Sequence, residues 1–142
     1  HDIGRLIMFE FTNELPINTL IAKCREKEIL VYKNERKVLG FTHMDVAEAL
    51  FSKWNLPPLL KEAAVYHHRP QLAPRFKEEA SCIHIADALA HAMQLGNSTD
   101  AFVPSIYEDA WEVLGVSMDK LPAVVKQVSE QYPDLIKIFF QE

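Results

Sequence analysis

Thr42-His43-Met44-Asp45-Val46-Ala47-Glu48-Ala49-Leu50-Phe51-Ser52-Lys53-Trp54 reads as one amphipathic helix from start to stop. Thr42 is a good N-cap, and Asp45 stands three residues later, close to a capping box, in which two residues satisfy each other's free backbone N–H groups. Val46, Ala47, Leu50, Phe51 and Trp54 recur every three or four residues, so they share one face and are expected to be buried. Asn55-Leu56-Pro57-Pro58 ends the helix, and either proline suits the first turn of the next.

The same period runs in both directions. Upstream, residues 2–11 place Ile3, Leu6, Ile7 and Phe11 on one face. Pro16 fits the first turn of a second helix after Asn13 and Glu14, one that runs through Leu20, Ile21 and Cys24 with Lys23, Arg25, Glu26 and Lys27 outside. Residues 29–32 read as a connection into a short helix at 34–39, ended by Gly40. Downstream, a helix carries Leu60, Ala63, Ala64 and His67 up to Arg69-Pro70, and 71–74 form a polar loop. Residues 77–95 predict a long helix with Ile83, Ala86, Asp87 and Ala90 on one face, closed by Gly96. After a surface loop at 96–104 come a short helix at 107–114 ending at Gly115 and a last helix capped by Ser117, running through Leu121, Val124, Val125 and Val128. Pro133 is expected to divide it from an apolar turn at 135–140. The fold class this predicts is all-α, an irregular multi-helix bundle.

The composition agrees with one domain. The chain has 142 residues, 49% hydrophobic and 25% charged, with four glycines. That is long and apolar enough to bury a core, and too poor in glycine for a turn-rich sandwich. The net charge of −5 argues against binding along a nucleic-acid backbone. No apolar run approaches the length of a membrane span. Cys24 and Cys82 lie far apart and read as two reduced, half-buried thiols of a cytoplasmic protein.

The chemistry-bearing residues are scattered in sequence but of matching type: His1 with Asp2, His43, the doublet His67-His68, and Asp87 with His84 one turn before it. Imidazole and carboxylate together form the mixed nitrogen and oxygen set that holds Zn, Mn, Fe or Ni. Asp87 lies on the apolar stripe of its helix, where a carboxylate is costly unless paired or bound to a cation. Around the doublet, Arg69, Arg75 and Lys77 read as solvated loop charge. Trp54 and Trp111 read as packing residues, and the apolar stretch 136–140 as a surface that docks on this domain or on a partner.

The string His1-Asp2-Ile3-Gly4-Arg5-Leu6 resembles the central motif of the HD superfamily of metal-dependent phosphohydrolases, and the fit is closest to its HDOD domains. The resemblance continues through Glu35-Arg-Lys-Val-Leu-Gly-Phe-Thr-His43, Val46-Ala-Glu-Ala-Leu50, Trp54-Asn-Leu-Pro57, Ala64-Val-Tyr-His-His68 and Ile83-His-Ile-Ala-Asp-Ala-Leu-Ala90, covering residues 1 to about 116. It implies the C-terminal part of one HDOD domain, 1–142, whose upstream helical part lies outside the chain. It also implies a bacterial signalling module that acts in the cytoplasm on other signalling proteins or domains, such as the output domain of a response regulator, with a homodimer as a further expectation and no nucleic-acid or membrane contact. Carried over residue by residue, His1, Asp2 and Asp87 are metal ligands. His43, His67 and His68 match the extra ligands or phosphate contacts of HD-GYP phosphodiesterases. Arg5 takes the place of the usual lysine, as a catalytic residue steadying phosphate. The implied ion is divalent: Fe, Mn, Zn, Ni or Mg. The alternative is a phosphohydrolase or phosphodiesterase acting on a nucleotide or cyclic dinucleotide. Two departures bear on it. The first His of the superfamily pattern would lie upstream of this chain, and Arg69-Pro70-Gln71-Leu72-Ala73-Pro74 stands where HD-GYP domains carry Gly-Tyr-Pro.

Overall fold

The structure is a computed structural model that describes residues 1–11, 14–96 and 99–139. Eight helices follow in order: α1 Ile3–Phe11, α2 Glu14–Glu26, α3 Tyr32–Leu39, α4 His43–Lys53, α5 Pro58–Tyr66, α6 Lys77–Ala92, α7 Glu108–Leu114 and α8 Leu121–Phe139. Short 3-10 turns sit at Pro70–Leu72, overlapping the start of the stretch expected to be loop, and at Met118–Lys120. Among the described residues there is no strand, so the all-α, irregular bundle expected from the periodicity is what forms.

The helix read first sits at the centre. α4 packs against α1 on one side and α5 on the other, α5 packs on α6, and α6 on α7. Its capping box is complete: Asp45 N–H donates to Thr42 Oγ1 at 3.2 Å, and Thr42 N–H donates to Asp45 Oδ2 at 2.7 Å. Arg36 adds bonds to both Asp45 oxygens at 2.8 and 2.9 Å. Burial works to raise the Asp45 carboxyl, but the Thr42 bonds and Arg36 outweigh it and hold the group below the usual carboxylate range.

The interior has two parts. Leu20, Cys24 and Val31, with Ile21 and Leu39 at the edge, form an apolar cluster where α2 meets α3. Along α4, α5 and α6 the buried apolar residues are mostly alanines, including Ala47, Ala63, Ala64, Ala80 and Ala88. Small side chains let helix axes approach closely, and the volume between them is filled by His43 and His67, each 0% exposed, and Glu35 at 1%. A polar centre in a bundle costs stability unless every group is satisfied, which makes it the natural place to look for function.

Several expectations need correction. α1 buries Gly4 and Met8, while Leu6 and Phe11 are 62% and 79% exposed. The face of α1 is set by the close approach of its backbone to α4, which only Gly4 permits. Trp54 and Leu60 are exposed rather than packed. The buried stripe of α6 is Ala80, Ser81, His84, Ile85 and Ala88, with Ala86 outside and Asp87 half-buried at its edge. α6 stops at Ala92, where Gln94 turns left-handed before Gly96 does. α3 starts at Tyr32, two residues early. Cys82 is exposed and Cys24 buried; both are free thiols. Pro133 does not divide α8, which runs through it. The carbonyl left without a donor there lies on a helix with no buried residue, where water can serve it. Asn13, Phe140 and the middle of the 96–104 loop lie outside the described residues. Among the described residues no helix is long and apolar enough to cross a membrane.

Candidate metal centre

Five elements deliver side chains to one point: the start of α1, α3, the start of α4, the end of α5, and α6. Gly4 allows the first meeting. A Cβ at that position would stand 1.9 Å from the carbonyl oxygen of His43, so α1 can lie against the first turn of α4 only with glycine there. That contact brings Asp2 to His43 and His67.

His43 is oriented by Glu35. The Glu35 carboxylate accepts from the His43 backbone N–H at 2.9 Å and lies 2.7–2.8 Å from ring Nδ1. A carboxylate only accepts, so Nδ1 carries a proton, and in the neutral ring Nε2 presents a lone pair. His67 is fixed the same way, its Nδ1 donating to the Ala64 carbonyl at 2.6 Å. The two Nε2 atoms then face each other at 3.4 Å. Asp2 Oδ1 completes the triangle, 3.4 Å from His43 Nε2 and 3.6 Å from His67 Nε2. That oxygen is buried and makes no hydrogen bond.

Three lone pairs turned on one another repel unless a cation sits between them. Ligands about 2.0–2.1 Å from a tetrahedral metal are spaced roughly 3.3–3.4 Å apart, and these donors stand 3.4–3.6 Å apart, at or just above that spacing. The Glu35–His43 bond is the carboxylate–histidine arrangement that fixes a ligand's tautomer and raises its basicity. Asp2, Glu35, Asp87 and Asp100 bring four carboxylates into the cluster against the one guanidinium of Arg5, a balance that favours a divalent cation. The residues present fit a metal.

The remaining site residues lie around this triangle. His1 Nε2 is 3.4 Å from Asp87 Oδ1 and 3.8 Å from Asp2 Oδ2, and its ring stands edge-on to His67 at 4.8 Å. Burial works to lower the His1 pKa, but the Asp87 hydrogen bond and the Asp2 charge raise it. Burial of Asp87 is likewise outweighed by His1, which holds the carboxyl low. His1, Asp2 and His67 form one group of donors within 4.8 Å of one another, and His43, His67 and His68 form a second. His68 stacks on Tyr32, ring centroids 3.9 Å apart, with its Nε2 buried and unbonded. Burial, then the neighbouring His67 and His43, push its pKa far down. Burial and the neighbours His1 and His43 take His67 down to about 4, against the Ala64 bond.

Arg5 lies one turn after Asp2. Its guanidinium is 3.4 Å from Asp2 Oδ2, 3.8 Å from Glu35 Oε1, 3.3 Å from Thr99 Oγ1 and 3.4 Å from Asp100 Oδ2. Asp87 and all the histidines named as site residues are therefore gathered in one place, with Arg5 at their rim.

Two functional groups, Glu35 and Glu62, escaped the sequence reading, and His84, named there beside Asp87, supports His67 instead. Glu35 sits in a polar, mostly charged stretch that looks like surface, on the helix that the left-handed Gly40 ends just before His43. His84 does not face solvent: its Nδ1 donates to the His67 carbonyl at 2.7 Å and its Nε2 accepts from Tyr107 N–H at 3.2 Å. It is a neutral clamp between α6, α7 and the backbone of His67, its pKa lowered by burial. Glu62, also buried, receives Arg75 N–H, Arg75 Nε and Phe76 N–H at 2.9–3.1 Å, which pins the loop after the doublet. Arg75 is thus a loop fastener, while Arg69 and Lys77 are exposed.

No curated protein and no solved structure matches the chain. The family comparison does match, over residues 1–70, to the HDOD domain. Those residues supply every member of the centre except Asp87, His84 and the Thr99–Asp100 pair, so the likeness to the HDOD domain covers most of the site.

Proposed function

We propose that the chain is part of an HDOD-type signal-transduction module whose His/Asp centre holds one divalent transition-metal ion on Asp2, His43 and His67. The observation that carries this is the facing of two Nε2 lone pairs and an unbonded carboxylate oxygen at 3.4–3.6 Å. His1, paired with Asp87, and His68 flank these three donors. In this reading the centre ties α1, α4, α5 and α6 together, and the module acts through contacts with other signalling proteins or domains, in the manner of a response-regulator output. The exposed apolar side chains of α8, among them Val124, Leu135 and Ile138, supply surface for such contacts.

A second reading, a phosphohydrolase acting on a nucleotide or cyclic dinucleotide, is favoured by a separate observation. The side chains of His1 and Asp2 are 30% and 36% exposed, so the triangle opens to solvent on one side, and His67 is shared by two donor groups. A bound divalent ion would supply Lewis-acid activation of a phosphoester. On the protein side, Asp2 and His67 would orient the ion, and His1 would hold a proton on Nε2 against Asp87.

Elemental analysis of protein purified without chelator tests the shared claim, with Asp2→Ala and Asp87→Ala alongside. About one equivalent of Zn, Fe, Mn or Ni, lost in Asp2→Ala, is expected. Turnover of a phosphodiester panel by the loaded protein, abolished in Asp2→Ala, would select the enzyme; loading without turnover would select the module. A folded protein that takes up no metal would refute both.

A further inference from the structure

We infer that Asp100 is a positioning residue for the metal centre, acting through Arg5 and through the start of α3. The inference rests on reading the centre as a metal site. Asp100 lies in the segment between α6 and α7, distant in sequence from Asp2, Glu35, His43 and His67, yet it touches two of the elements that build the centre.

Its two oxygens do different work. Oδ1 accepts from Val31 N–H at 2.5 Å. Val31 is the residue that opens α3, and a helix start leaves its N–H groups without intrahelical partners. A carboxylate there satisfies one of them and suits the positive end of the helix dipole. α3 carries Glu35 one turn later, and Glu35 holds the His43 ring. Oδ2 faces Arg5 Nη2 at 3.4 Å, while Thr99 Oγ1 accepts from Arg5 Nη1 at 3.3 Å. The Asp100 and Arg5 side chains are 3% and 12% exposed, so the pair acts where water screens little.

Arg5 is pulled from three sides. Asp2 and Glu35 draw it toward the centre, and Asp100 with Thr99 draws it away. Its contacts to all three carboxylates are long, 3.4–3.8 Å, as expected of a cation shared among them. Release the outer hold and the guanidinium closes on Asp2 and Glu35. A closer ion pair there competes with the metal for Asp2 and takes Glu35 away from the His43 Nδ1. Asp100 thus keeps Asp2 available as a ligand and keeps Glu35 on its histidine.

The test is Zn2+ affinity of the full chain, measured by competition with a chromogenic chelator. Asp100→Asn can still accept from Val31 N–H but loses its charge opposite Arg5. Outer partners of metal ligands are typically worth 10–100-fold in metal affinity, and a loss in that range is expected, with the helical circular dichroism unchanged. In an Arg5→Gln background the same Asp100→Asn change should cost nothing further, because the residue it acts through is gone. Thr99→Val, which removes only the hydroxyl contact, should give a smaller loss in the same direction. Wild-type affinity in Asp100→Asn, or losses that simply add in the double variant, would overturn the inference while leaving the metal site standing. A wild-type protein without Zn2+ affinity would overturn the site and the inference together.

Discussion

Gly4 lies directly against the His43 carbonyl, so close that a Cβ at position 4 would stand 1.9 Å from that oxygen. The conflict is with backbone rather than with a side chain that could swing aside. The whole centre depends on this contact, because it sets the distance between Asp2 at the head of α1 and His43 at the head of α4.

Gly4→Ala is therefore expected to cost about 3 kcal/mol of stability, at the upper end of overpacking in a well-packed interior. It should also separate Asp2 from His43 and lower metal uptake. Thermal unfolding of the variant, with metal content measured on the same sample, checks both. Wild-type stability and wild-type metal content would mean that α1 does not lie on α4 as described.

Glu35→Gln keeps the shape of the side chain but removes the charge on His43. Metal affinity should fall 10–100-fold, with a modest loss of stability. Glu35→Ala should be worse, since it strands the buried His43 N–H and Nδ1–H, at a cost of about 3 kcal/mol. Chelator competition and urea unfolding separate the two effects.

Much of the fold was legible because it is written in period and punctuation. The capping box at Thr42 and Asp45, the prolines before α5 and the glycines after α3 and α7 each state a local backbone requirement, and each is met where expected. The face of α1 was misread for a physical reason. Periodicity weighs hydrophobicity, but this face is decided by size. Gly4 on α1 and the alanines of α4, α5 and α6 let the helices close up, and the bulkier Leu6 and Phe11 turn outward. The histidines and aspartates of the centre were legible by residue type. Glu35, Glu62 and Asp100 were not, because a buried carboxylate that serves another residue has no pattern of its own in a single sequence.

His84→Ala should separate fold from ligation. It strands the His67 carbonyl and the Tyr107 N–H, so a loss of about 2–4 kcal/mol is expected. The metal stoichiometry should survive, since His84 Nδ1 and Nε2 are both committed elsewhere. Calorimetry with elemental analysis would decide. Loss of metal from a protein that remains folded would place His84 among the ligands.

The pH dependence of the metal-free protein follows from His67. Burial and the neighbouring histidines take it to about 4 in the fold, against about 6.5 in an unfolded chain. Between those values the unfolded chain binds a proton that the folded one refuses, so stability falls as pH drops from about 6.5 to 4. His68 and His84, also lowered, act in the same direction. His1 acts oppositely: its raised pKa stabilises the fold below the unfolded value, and that contribution is lost as pH rises through the folded one. Three groups against one predict a falling melting temperature from pH 7 to pH 4.5 in chelator, with a shallower fall in His67→Gln. A flat profile would contradict the burial of these rings as neutral groups.

The most direct measurement is a crystal structure of the metal-loaded protein with data collected at the metal absorption edge. One anomalous peak is expected within about 2.0–2.2 Å of Asp2 Oδ1, His43 Nε2 and His67 Nε2 together, with Glu35 still bonded to His43 Nδ1. A peak elsewhere, or none in crystals grown with excess metal, would contradict the central claim.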